Sequence, residues 1–187
     1  MTNSKMTTNK KIHDYYYDAM EYLNIGDTSN ARKLLKKSIE LDPDYVEAYV
    51  GMTATYREMG DFKKEKEFAD LGFEKTREKF PQWPEEMSWG EIENRQYLRA
   101  ICYKADTCQI SGDLKQAEEL YRLILKMNPR DNQGVRYLIA GMFAGLGPQD
   151  IDDMFDEGNK KQDWSKLEIL MWEQNKQHHF WEAPEEY

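Results

Sequence analysis

Gly26-Asp27, then an amphipathic run closing on Lys36-Lys37-Ser38-Ile39-Glu40-Leu41, then Asp42-Pro43, a second run carrying Tyr49 and Tyr56, and Gly60-Asp61: this stretch decides the fold. A glycine just past a helix takes up the left-handed conformation that ends it at little cost. The aspartate that follows can cap the next helix through its side-chain oxygen. Asp42-Pro43 reads as the same device at the other turn, with the proline suited to a first helical position. The stretch is therefore one helix–turn–helix period, and Gly26 to Gly60 measures its length as 34 residues.

The period recurs. A third Gly-Asp stands at Gly112-Asp113, 52 residues after Gly60, which is 34 plus 18. A second Asx-Pro stands at Asn128-Pro129, 86 residues after Pro43, which is twice 34 plus the same 18. Two independent markers thus agree on one insertion, assigned to residues 80–97. Within the periods, Tyr15, Ala19, Tyr22, Ala31, Leu35 and Pro43 in the first (12–45) answer to Tyr49, Thr53, Tyr56 and Ala69 in the second (46–79). The third (98–131) carries Ile101, Ala105, Cys108, Ala117, Tyr121 and Pro129, and a degenerate fourth (132–165) carries Val135, Ile139, Met142, Ile151 and Phe155. In these residues the chain resembles the tetratricopeptide repeat (TPR) family, whose unit has this length and this order of aromatic, small and proline positions. Asp18 and Arg77 depart from the pattern, the latter where proline is expected, so the second helix of the second repeat is expected to run on to about Lys79.

The resemblance implies an all-α fold: a right-handed α-solenoid of helix–turn–helix TPR-like repeats. A helix over about 164–180, rich in Trp164, Leu167, Leu170, Met171 and Trp172, is expected to cap it with a polar outer face. The reading is of a single domain over 12–181, with a disordered lead-in at 1–11 and a tail at 182–187. In the insertion, Pro81 and Pro84 forbid helix at the start. Ser88 and Glu91 have capping-box spacing and predict a helix from near Trp89 to about Ile110.

Composition narrows the function. The 187 residues are 40% hydrophobic and 33% charged, as in a soluble helical protein, and no run approaches a membrane span of ~18–20 apolar residues. Residues 1–11 lack the apolar centre of a secretory signal, and Cys102 and Cys108 are too few for a disulfide framework. Together these predict a cytoplasmic protein with reduced thiols. Of the net charge of −9, −7 lies between Gly147 and Tyr187 (eleven acidic residues against four basic), which reads as a solvated end. A near-neutral body with an acidic tail argues against nucleic-acid binding, which needs clustered Lys and Arg.

No catalytic constellation emerges. His178 and His179 are adjacent and diverge by ~100° on a helix, and His13 is remote. Asp150, Asp152, Asp153 and Asp156 lack the glycine and closing glutamate of a calcium loop. The expectation is no catalytic residues, no metal and no cofactor.

What the resemblance implies instead is binding, because in this family the first helix of each repeat lines a concave groove for an extended peptide or partner helix. The faces opposite the packing residues are His13, Tyr16 and Met20 in the first repeat, with Leu23, and Glu47, Val50 and Arg57 in the second, with Ala54. The third offers Arg99 and Asp106, with Cys102 and Gln109, and the fourth Gln133, Arg136 and Phe143, with Ala140. Aromatic area and fork-shaped donors of this kind suit a peptide groove. The dicarboxylate clamp of the chaperone-tail binders is not expected, since its positions hold Tyr16, Met20, Gly51, Arg99 and Tyr103. The leading reading is a non-enzymatic adaptor for a protein or peptide of unknown identity. The alternative is a structural homo-oligomer, a homodimer formed through the acidic, tryptophan-rich C-terminal end, where Trp83 and Trp89 of the insertion and Trp164, Trp172 and Trp181 either pack together or form an exposed patch.

Overall fold

Three turns of the chain are built alike. Gly26, Gly60 and Gly112 all take positive φ (77°, 67° and 85°). The amide of the next residue reaches back five positions, Asp27 to the carbonyl of Tyr22 (2.8 Å), Asp61 to Tyr56 (3.0 Å) and Asp113 to Cys108 (2.9 Å). That bond and a left-handed glycine define a Schellman closure. Each aspartate then caps the following helix, accepting from the amides of Asn30 (3.0 Å), Lys64 (3.1 Å) and Gln116 (3.1 Å). One dipeptide therefore ends one helix and starts the next, and each cap contributes about 1 kcal/mol.

The structure is a computed structural model that describes residues 3–184, with side chains from Lys10 onward. All regular structure among these residues is α-helical, in nine helices that pack largely in consecutive pairs, the arrangement of a helical-repeat solenoid. They fall into two compact units, Met1–Gln82 and Trp83–Tyr187, where a single domain over 12–181 is expected from sequence. The boundary falls in the helix-free segment between Lys79 and Ile92, which holds Pro81 and Pro84.

In the first unit, α1 (Asn3–Asn24) pairs with α2 (Thr28–Leu41), and α3 (Val46–Glu58) with α4 (Phe62–Lys79). Its core is Tyr16, Ala19, Ala31, Leu35, Ala48, Met52 and Tyr56. Ala19 and Ala31 are fully buried where α1 and α2 meet, because only a methyl-sized side chain admits so close an approach. Leu35 fills the gap toward α3; a Cβ on Gly51 would stand 2.7 Å from it. α4 runs 18 residues and ends at Lys79, where it is expected to end.

In the second unit, α5 (Ile92–Ile110) pairs with α6 (Leu114–Met127). Then come α7 (Val135–Phe143), α8 (Pro148–Lys161) and α9 (Ser165–His178), with α8 and α9 both packed on α7. The degenerate repeat thus does form a helix pair, turned by Gly145 (φ 78°) and opened by Pro148 at the first position of α8.

Several sequence expectations are corrected. The lead-in is helical from Asn3, as a continuation of α1 (Met1 and Thr2 lie outside the described residues). Pro43 and Pro129 do not start helices. Asp42 and Asn128 close α2 and α6, and α3 and α7 begin only at Val46 and Val135. The Ser88–Glu91 capping box is absent: Ser88 Oγ accepts from Gly90 (3.2 Å) and α5 begins at Ile92. The preceding segment is tied elsewhere, with Met87 buried and its amide 2.8 Å from the carbonyl of Met127. Finally, α9 stops at His178, because His179 turns left-handed (φ 47°), and Phe180 and Trp181 lie beyond the helix. Of the tail, residues 185–187 lie outside the described residues.

Close packing makes one substitution diagnostic. A Cβ on Gly141 in α7 would stand 2.6 Å from both Cγ1 and Cδ1 of Ile151, which is fully buried. Overpacking of this kind costs about 1–3 kcal/mol, more than the ~1 kcal/mol that alanine gains over glycine in a helix. Gly141→Ala is therefore expected to lower the denaturation midpoint, whereas an unchanged or raised midpoint in urea melts would show that the α7–α8 contact is looser than described.

Candidate functional site

The groove positions divide by unit. In the first, His13, Tyr16 and Glu47 converge on Tyr45. The Tyr45 hydroxyl donates to Glu47 and lies 3.3 Å from His13 Nδ1. His13 and Tyr16 meet the Tyr45 ring edge-on, at centroid distances of 5.4 and 5.9 Å. Burial and the Glu47 carboxylate together hold the Tyr45 hydroxyl well above the usual phenol range, so it is a permanent donor. His13 is exposed and Glu47 half-buried, but Tyr16 and Val50 belong to the core and Met20 packs against it. Arg57 is not a spare cation, because its Nε lies 2.7 Å from the buried carboxylate of Glu65.

In the second unit the expected face of α5 is largely internal. Asp106 is 3% exposed, and the Tyr121 hydroxyl sits 2.8 Å from its carboxylate and 3.0 Å from Gln109 Oε1. Gln109 donates to the carbonyl of Leu146 in the α7–α8 turn (2.7 Å), which closes that side of α5. Arg99 is half-buried, its guanidinium 5.1 Å from the Trp89 ring centre. Gln133 is half-buried, with its side-chain oxygen unpartnered among the described residues.

Arg136 and Phe143, at opposite ends of α7, both reach the stretch after α9, Arg136 at Trp181 and Phe143 at Phe180. Arg136 pairs with Asp131 (3.0 Å), whose carboxylate also accepts from the amides of Val135 (2.7 Å) and Arg136 (2.9 Å) at the start of α7. Burial pushes the Asp131 carboxyl up to about 6, against the pull of those amides and the guanidinium. Arg136 also donates to the Tyr137 hydroxyl (2.8 Å), which donates to Glu168 of α9. Held in this way, its guanidinium lies 5.0 Å from the Trp181 ring centre, a cation–π contact. Phe143 stacks on His178 at 3.8 Å and near Phe180 at 5.9 Å.

Arg122 on α6 completes the group. Its Nε pairs with Glu118 (2.8 Å), and its two terminal nitrogens donate to the carbonyls of His178 (2.9 Å) and His179 (3.1 Å). The Trp181 indole N–H donates to the carbonyl of Pro129 (2.9 Å). The α6–α7 face thus holds a non-helical stretch by its main chain at one point and by aromatic anchors at two. Arg122 carries no repeat signature and lies on a second helix, so nothing singles it out in sequence. Phe180-Trp181 is legible as an unusually apolar pair in an acidic end.

Among the described residues no group of three or more His, Cys, Asp or Glu side chains is placed to hold a metal ion, and no helix is long and apolar enough to cross a membrane. Both cysteines are unbridged.

A search of curated proteins finds none that matches the chain. The family profile described as tetratricopeptide repeat matches residues 19–45 and 98–131. The first match takes in most of the α1–α2 hairpin and the second the α5–α6 hairpin, each with its Gly-Asp turn and following Asx-Pro. The chain carries tetratricopeptide repeats at these two places.

Proposed function

We propose that this protein is a non-catalytic cytoplasmic adaptor that binds an extended segment of a protein partner on the first-helix faces of its repeats. Tetratricopeptide repeats as a class mediate protein–protein interaction. One observation supports the finer reading: exposed His13 on α1 and half-buried Glu47 on α3, both first helices, meet at the Tyr45 hydroxyl. Together they offer a mixed surface of ring edge, donor and carboxylate to an extended segment.

A second reading, assembly with another copy, is favoured by the outer side of α9. Ile169 and Trp172 are 57% and 55% exposed there, on a helix expected to present a polar face. Adjacent apolar residues left in water are characteristic of an interaction surface.

Photo-crosslinking distinguishes sites. A photoreactive residue placed at His13 or at Glu47 is expected to capture the same partner, and one at exposed Lys63 on α4 is not; equal capture at all three positions would contradict a first-helix site. For the second reading, sedimentation of the purified chain at high micromolar concentration is expected to show self-association that Trp172→Glu abolishes, and a monomeric profile for the unaltered chain removes it.

A further inference from the structure

The segment after α9 is held as a ligand is held. Beyond His179, whose left-handed φ of 47° breaks the helix, residues 179–184 adopt no regular structure. Side chains supply the partners of its main chain. Arg122 takes the carbonyls of His178 and His179. Asn175, on α9 itself, fixes the turn locally, accepting from the amides of Phe180 (3.0 Å) and Trp181 (2.9 Å) and donating to the carbonyl of Trp181 (2.8 Å), while the α6–α7 face supplies Arg122, Phe143, Arg136 and the Pro129 carbonyl. Phe180 and Trp181 are only 6% and 8% exposed, one against Phe143 and the other under Arg136 with its indole N–H on Pro129. Two buried aromatic anchors on main-chain hydrogen bonds are the anatomy of a peptide hot spot.

The fit is incomplete on one side. A cavity of about 370 Å³ remains beside the segment, bounded by Leu125, Pro129, Trp181 and Glu182 together with the cations Arg122 and Lys126. Its apolar lining of Leu125, Pro129, Phe180 and Trp181, with the exposed Lys126 beside an Arg122 already paired to Glu118, admits more aromatic area and more negative charge than the chain's own segment brings.

We infer that the α6–α7 face is a peptide-binding site occupied in cis by residues 179–182, and that its external ligand is an extended peptide with two adjacent aromatic residues followed by an acidic one. This rests on the adaptor reading and specifies the ligand of one of its sites. The tether keeps the cis segment at an effective concentration in the millimolar range. An outside peptide therefore has to displace it, and its apparent affinity for the intact chain is reduced by the fraction of sites already filled.

The test is fluorescence anisotropy with a fluorescein-labelled peptide of the sequence of residues 176–184, titrated with the unaltered chain and with a Phe180→Ala/Trp181→Ala variant. The variant, once matched to the unaltered chain in helical content and cooperative melting, is expected to bind the peptide at least tenfold more tightly. Adding Arg122→Ala, or replacing both peptide aromatics by alanine, is expected to abolish that gain. Equal affinities for the unaltered chain and the folded variant overturn the inference. Should the variant fail to fold, hydrogen exchange on the unaltered chain decides: the amides of Phe180 and Trp181 are expected to exchange at least tenfold faster than the buried amides of α7. Exchange at the α7 rate makes the segment part of the core and sinks the proposal. Peptide bound by the opened variant, with no partner cross-linked at His13 or Glu47, retains this site and removes the first-helix one.

Discussion

The Gly-Asp turn is the constraint on which the rest of the structure depends. A glycine at positive φ closes one helix, and the aspartate beside it donates its amide to that helix and caps the next with its carboxylate. Because both jobs fall on two residues, the helices on either side can only fold back on each other. Small side chains at the crossing, Ala19 and Ala31 in the first hairpin and Ala105 and Ala117 in the third, then let them approach until they are fully buried. Helix pairing, core composition and the placement of the outward faces follow from this arrangement. The proline-rich stretch is where that logic lapses: no such turn occurs between Lys79 and Ile92, and the chain divides into two units there.

The second unit shows how a repeat scaffold fixes cations and rings on one face. Asp131, at the start of α7, is used twice, to cap the helix and to fix Arg136. Its acidity is weakened by burial and still leaves it ionised at neutral pH. Arg136 in turn presents a cation to an indole ring, while Tyr137 ties the same helix to Glu168. Arg122 approaches from α6 and takes main-chain carbonyls. These contacts are assembled on helices whose positions the turns have already set.

What could be read from sequence follows the range of the forces involved. The hairpins were legible because Gly60-Asp61 and Gly112-Asp113 act on their own neighbours, and a local device repeats at a fixed spacing. The overrunning α4 was legible for the same reason, since no proline stops it. The groove was not, because whether one side of a helix is open depends on what packs there from far away. Asp106 and Gln109 looked outward-facing, and the α7–α8 turn with Tyr121 closes over them. Tyr16 and Val50 were drawn into the core in the same way. Arg57 kept its charge but spends it on Glu65, eight residues on and across a turn. Arg122 was invisible, since its partners are the carbonyls of His178 and His179, which only the fold brings to it.

On the proposal above, an outside segment is recognised by exchange with the chain's own aromatic one on the α6–α7 face. The most direct measurement follows the Trp181 indole N–H in a nitrogen-15 correlation spectrum, assigned by a Trp181→Phe variant, as a purified partner is titrated in. The resonance is expected to start protected by its bond to the Pro129 carbonyl and to move to the position of a solvent-exposed indole at saturation. An indole signal that keeps its shift and its protection when the partner is fully bound would contradict it.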